Sequence, residues 1–259
     1  MSAVIDERVP LDFSDTPKVP MTRLIRVELR KMSDTRAGIW LLAAIGLITA
    51  AIIVIFFLTA DTSDRTFLNF VGITATPQGF LLPVLGILLV TSEWTQRTAL
   101  VSFTLTPVRI RLLLAKVVAA LLFGLAAIIV ALAIASLATL LGGADNAWQG
   151  IGTDDLAKFA LLQATGVLQG LAFGLLFLNS AAAIVTFFIL PTAFSILSSL
   201  WEALRDVQPW IDLGTSQTPL FMGANLTGEQ WAQLAVGTVI WCLLPFLVGM
   251  FRVLRAEIK

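Results

Sequence analysis

Phe159–Trp201 reads FALLQATGVLQGLAFGLLFLNSAAAIVTFFILPTAFSILSSLW, without a single Asp, Glu, Lys or Arg. An α-helix crosses the hydrocarbon core of a bilayer in about 20 residues. The run is therefore twice too long for one crossing. LNSAAA at Leu178–Ala183 supplies a natural turn, so the run is expected to hold two spans. Four more uncharged blocks flank it: Ala37–Ala60, Thr66–Ser92, Val117–Ala144 and Gln230–Phe251. Charge is a sound delimiter, because Asp, Lys or Arg at the centre of a membrane helix costs roughly 2.5–3.5 kcal/mol. The total is six spans, near 37–60, 70–92, 107–142, 157–178, 181–201 and 230–254. An even number places both termini on one side. The fold class expected is all-α integral membrane.

Composition agrees. The chain has 259 residues, 58% of them hydrophobic and 13% charged, with a mean hydropathy of +0.91. A soluble domain of this size cannot hide so much apolar surface. The formal net charge is zero, which argues against nucleic acid as a partner. Absence of histidine removes the commonest metal ligand and general base. The one cysteine, Cys242, lies in an apolar run and reads as a packing residue. No metal or cofactor site is expected in this chain. Residues 1–20 are polar, acidic and proline-punctuated, with no apolar signal region. They read as a disordered cytoplasmic tail ahead of one membrane domain, 21–259.

The positive-inside rule orients the bundle. Of the seventeen lysines and arginines, only Arg65, Lys158 and Arg205 fall on one face. The rest lie before Ala37, in the 93–116 connection, or after Phe251. Both termini and that connection are expected to be cytoplasmic, in a multi-pass protein of the inner or plasma membrane. Trp40, Trp94, Trp148, Trp201 and Trp231 fall near span ends, as an interfacial belt would place them.

Met21–Ser33, MTRLIRVELRKMS, has a helical period. At about 100° per residue Met21, Leu24, Ile25, Leu29 and Met32 share one face. Arg23, Arg26, Arg30 and Lys31 share the other, and Val27 and Glu28 break the pattern. The reading is a basic amphipathic helix lying in the cytoplasmic interface. Ser33-Asp34 can cap the first span after it.

The connection EWTQRTALVSFTLTPVRIR, Glu93–Arg111, is too rich for a simple turn. Glu93 and Arg97 are four apart and would pair on a helix. Thr106-Pro107 reads as an N-cap followed by proline at the first helical position. A short cytoplasmic helix, a break and a third span from about Pro107 are expected. Leu100, Val101, Phe103 and Leu105 give that helix an apolar surface. It either packs on its own chain or meets a partner.

VTSEWTQRTALVSFTLTPVRIRLLLAK resembles the region around the second and third spans of ABC-2 type transporter permeases. In that family a Glu closes span two, a Gly/Arg-Thr-Leu element follows, and a Pro and an Arg precede a Lys opening span three. Here these fall at Glu93, Arg97-Thr98, Leu100, Pro107, Arg109 and Lys116. Arg-Thr-Ala-Leu stands where many members have Gly-Thr-Leu; small actinobacterial permeases are similar in this respect. The helix at 21–33 is similar to the family's elbow helix, carrying Arg23, Arg26, Arg30 and Lys31. The resemblance implies that the 93–111 segment is a coupling helix docked on a separate cytoplasmic ATP-binding cassette ATPase. Glu93, Trp94, Gln96, Arg97, Thr98, Pro107, Arg109 and Arg111 would carry that coupling. Two such permease subunits, identical or related, would form the substrate pathway in the lipid bilayer. Export is the direction the family implies.

The energy source is consistent with that. None of the five lysines follows a glycine, so there is no GxxxxGK[ST] phosphate loop. Mg-ATP is expected in a partner, and this chain is expected not to be an enzyme. An intramembrane protease would need a histidine or a carboxylate within the spans. The competing reading is an ATPase-independent secondary carrier or a helper subunit, but no charge interrupts the blocks. Within the spans, Gly166, Gly170 and Gly174 form two overlapping GxxxG motifs, read chiefly as a static packing seam. Gln163 and Gln169 are expected to hydrogen-bond neighbouring helices, though Gln169 could line a path. Pro83, Pro191 and Pro245 are candidate kinks. The long connection Glu202–Glu229 resembles the short surface or re-entrant helices that precede the family's last span.

Overall fold

The computed structural model describes residues 19–106, 108–149, 152–222 and 224–255. The expected tail therefore lies, but for Val19 and Pro20, outside the described residues, as does Pro107. Among the described residues there is no strand. Six helices are long and apolar enough to cross a membrane, as the sequence predicts for a multi-pass membrane protein.

The chain opens with α1 (Met21–Asp34), which turns at Thr35 into the first span, α2 (Arg36–Thr59). The second span is α3 (Phe67–Thr95), followed by the short α4 (Ala99–Leu105). The third is α5 (Arg109–Gly142), the fourth α6 (Thr153–Phe177) and the fifth α7 (Ser180–Leu200). Three short helices follow: α8 (Glu202–Arg205), α9 (Gln208–Ile211) and α10 (Leu213–Phe221). The last span runs from Gly228 to Arg255 as α11 (Gly228–Thr238), one π turn (Val239–Leu243) and α12 (Leu244–Arg255).

Local chemistry sets these boundaries. Leu178 ends α6 in the left-handed conformation, φ 54°, its N–H donating to Gly174 O at 2.9 Å. Asn179 then caps α7, its Oδ1 accepting from Ala182 N at 3.0 Å. The predicted turn inside Phe159–Trp201 is thus two consecutive caps. At the first corner the structure differs from expectation. Ser33 and Asp34 still belong to α1, and Thr35 caps α2 through its bond from Gly38 N, 3.2 Å. The corner is so tight that a methyl group on Gly38 would sit 1.8 Å from the Met32 carbonyl oxygen. Pro245 has no N–H for the Trp241 carbonyl, and the chain absorbs this in the preceding π turn. Pro83 and Pro191 lie within unbroken helices.

α3 and α6 form the centre of the bundle: 61% and 67% of their most apolar stretches are buried, against 17% for α2 and 11% for α7. The seam of small residues is what brings them together. A methyl on Gly170 would lie 2.0 Å from the Pro83 carbonyl oxygen, and one on Gly174 3.0 Å from that of Ile87. Gly166 stands against the Pro83 ring. All three glycines of the motif face α3, and Gly86 of α3 answers them, its missing methyl falling 2.5 Å from Val167 O. Close backbone approach of this kind maximises dispersion contact where lipid supplies no hydrophobic drive. Gln163 donates to the Gln78 carbonyl across the same pair, and Gln78 Nε2 donates to Ala127 O of α5 at 3.2 Å. The outer helices keep large apolar side chains such as Leu47, Leu141 and Leu200 exposed, the surface that a lipid-facing bundle requires.

Candidate functional site

The end of the bundle that carries Val19 and Arg255 contains most of the charge, and its centre is a buried ring. Lys116 Nζ of α5 lies 2.6 Å from Glu28 Oε2 of α1 and 3.2 Å from Glu93 Oε2 of α3. Lys31 Nζ lies 2.7 Å from Glu28 Oε1 and also pairs with Glu93 Oε1. Each carboxylate therefore bridges both ammonium groups, and the signs alternate around the ring. Glu28, Glu93 and Lys116 are buried, at 0, 3 and 2% exposure, while the Lys31 side chain keeps 33%. Burying a charge costs several kcal/mol unless geometry and hydrogen bonds compensate it. Here two further bonds complete the coordination. Lys116 donates to Leu89 O at 3.1 Å, and Ser102 Oγ of α4 donates to Glu93 Oε1 at 2.9 Å.

Lys31 stands outside the spans. Partial burial pulls its ammonium pKa down, and the carboxylates of Glu28 and Glu93 more than reverse this. The net effect holds it above the ordinary value of 10.5.

Glu93 does not pair with Arg97, as the four-residue spacing suggests it should. α3 stops at Thr95, and Arg97 takes a left-handed conformation, φ 56°. This turns its side chain out to solvent, while Thr98 N donates back to Glu93 O at 2.9 Å. Gln96, Arg97 and Thr98 form an exposed corner, and α4 continues it with exposed Leu100, Val101 and Leu105. The other face of α4 packs inward: Ala99 and Phe103 are buried, and the Phe103 ring meets Trp94 edge-on at 6.4 Å. So Trp94 is a packing residue for α4. Thr106 follows α4 as its C-terminal cap, and α5 starts at Arg109, later than the predicted boundary.

Arg109 and Arg111 are tied to the chain itself. Arg109 Nη1 donates to Val253 O at 2.6 Å, satisfying a carbonyl in the last turn of α12, and its guanidinium lies over Phe103, 4.9 Å from the centroid. Arg111 Nη2 donates to Val19 O at 2.7 Å. These two bonds show that both described ends of the chain meet the start of α5. On α1, Leu24 and Met32 are buried and Met21, Ile25 and Leu29 half-buried, as the period predicts, and Arg23, Arg26 and Arg30 are exposed. Lys31, assigned to the exposed face, turns into the ring instead, drawn by the two carboxylates. A cavity of about 620 Å³ opens between α1 and α4, with Glu28, Lys31, Glu93 and Ser102 in its wall and Val27 and Leu105 at its sides.

Sequence reasoning missed Glu28 and the role of Lys116. The signal was present: Glu28 is the residue that breaks the apolar face of α1, and Lys116 interrupts the run LLLAKVVAA. Gln169 lies apart from the ring, in a separate cavity near Trp241. Among the described residues no group of three or more His, Cys, Asp or Glu could hold a metal ion. What the ring can do is mechanical: it fixes α1, α3 and α5 to one another through charge, and α4 to them through the Ser102 hydrogen bond. Compared with known proteins, the chain matches no family model and no curated protein.

Proposed function

We propose that the chain is the membrane-spanning permease subunit of an ABC-2 type exporter, working as a dimer with a separate cytoplasmic ATPase. In this reading α1 is the elbow helix in the cytoplasmic interface, and the corner Gln96–Thr98 with α4 is the coupling element. The observation that carries it is the two-faced character of α4. Its outer side exposes Leu100, Val101 and Leu105 beside Arg97. Its inner side is bonded through Ser102 to a charge ring that reaches two spans and α1. A force applied to α4 from outside would be transmitted directly to α3 and α5. The left-handed φ at Arg97 supports the reading further, since many ABC-2 permeases resemble this segment with glycine there, the residue that adopts such a φ freely.

The test is co-purification from native membranes. The wild-type chain is expected to bring down an ATP-binding cassette subunit, and Leu100→Glu with Val101→Glu to lose it while eluting as a folded protein. If the wild-type chain captures no such subunit, or the double variant captures it equally, the proposal fails.

A further inference from the structure

A second cavity, of about 190 Å³, lies away from the charge ring, between α3, α6, α7, α10 and the π turn of the last span. Phe80, Phe187, Phe188 and Trp241 form the aromatic part of its wall, and Gln169, Gln217 and Thr192 a polar part. Phe80 and Phe188 are 5.8 Å apart, and Phe187 stands edge-on to Phe188 at 5.0 Å. Phe173 links Phe187 to Trp241, stacking on the indole at 6.2 Å. Among the described residues the single charged side chain lining the cavity is Asp212, 5% exposed. Asp212 caps α10, accepting from Gly214 N at 3.3 Å, Thr215 N at 3.2 Å and Thr215 Oγ1 at 2.6 Å. Among the described residues it has no cationic partner. Trp241 is locked beside it, Nε1 donating to Ile211 O at 2.5 Å.

A buried carboxylate with no cationic partner among the described residues, beside the rings of Phe80, Phe187, Phe188 and Trp241, is an arrangement that attracts a cation. Aromatic rings attract cations through their π faces, and the carboxylate supplies the matching charge. The π turn that carries Trp241 is the kind of helix irregularity found at functional sites. We infer that this cavity binds a monovalent organic cation with an apolar body. The inference rests on the permease reading in taking this cation as the transported substrate class. An anionic or zwitterionic ligand is disfavoured, because no lysine or arginine among the described residues lines the cavity.

The experiment uses the full chain in nanodiscs of zwitterionic lipid, without any ATPase. Benzyltrimethylammonium is titrated calorimetrically, with benzylsulfonate, of similar shape and opposite charge, as competitor. The wild-type chain is expected to bind the cation, and benzylsulfonate is expected not to displace it. Asp212→Asn keeps one capping oxygen and removes the charge, though its amide nitrogen cannot accept the bond that the second carboxylate oxygen takes. It is expected to weaken cation binding at least tenfold while still eluting as a folded protein. No binding by the wild-type chain, displacement by benzylsulfonate, or equal binding by a folded Asp212→Asn would overturn the inference. Should the variant not fold, the two wild-type measurements decide. Cation binding in a chain that captures no ATPase would sink the permease reading and leave the site standing.

Discussion

Lys116 Nζ of α5 sits 2.6 Å from Glu28 Oε2 of α1, both side chains almost wholly buried. Residues 88 positions apart are thereby joined, and the surface helix α1 is fastened to the bundle by charge as well as by its apolar face. Neither group is tolerable there alone. The pair and its partners Glu93 and Lys31 hold one another in place.

Removing one member should therefore cost far more than removing two. Lys116→Ala leaves Glu28 and Glu93 facing each other with Lys31 alone between them. The expected loss is about 3–5 kcal/mol, read as a large fall in the melting temperature of the purified protein. Glu28→Leu with Lys116→Met leaves the Lys31–Glu93 pair and should recover most of that loss. Equal damage from the single and double variants would show that the ring is not electrostatically coupled.

Alkaline pH should loosen α1. Lys31 is held above its ordinary pKa of 10.5, so its contribution to stability is complete below that value. It disappears as pH rises through the higher folded-state value, because there the ammonium loses its proton. Melting temperature measured from pH 7 to 12 is expected to show a fall above about 10.5 that is smaller in Lys31→Met. An identical alkaline fall in both proteins would remove Lys31 as its source.

The glycine seam gives a steric prediction. Gly170→Ala places a methyl 2.0 Å from the Pro83 carbonyl oxygen, so α3 and α6 must part. Overpacking of this kind costs about 1–3 kcal/mol. Gly46→Ala is the control, since nothing lies within 4 Å of its missing methyl. It should be neutral or stabilise by up to about 1 kcal/mol through helix propensity. A chemical-denaturation series on the three proteins distinguishes these outcomes.

The amide pair of the core should behave as a unit. Gln163→Leu strands the Gln78 carbonyl inside the bundle, at a cost of about 1–2 kcal/mol. Adding Gln78→Leu should recover part of it, giving a measurable coupling in a double-mutant cycle. Additive losses would mean that the two amides act independently.

Arg97 offers the smallest change. Its φ of 56° lies where glycine is unstrained. Arg97→Gly is expected to be neutral or to stabilise by up to about 1 kcal/mol, and Arg97→Val to destabilise, since a β-branched residue fits that conformation worst. A lower melting temperature for the glycine variant than for the valine one would contradict this.

The amino-acid sequence by itself determined the six spans, the turn at Leu178–Asn179, the amphipathic α1 and the existence of a short helix after span two. These follow from local quantities: hydrophobic run length, helical period and capping side chains, each read within a few neighbouring residues. The tertiary structure decided the partners. It gave Glu93 to Lys31 and Lys116 rather than to Arg97, turned Arg109 onto the end of α12, and set Gly170 on Pro83. It also brought Phe80, Phe187 and Phe188 to the same cavity as Asp212. Such pairings join residues dozens of positions apart, and their choice depends on which helix ends where. One residue of helix more or less rotates a side chain by about 100°, enough to exchange one partner for another, and no local pattern carries that information.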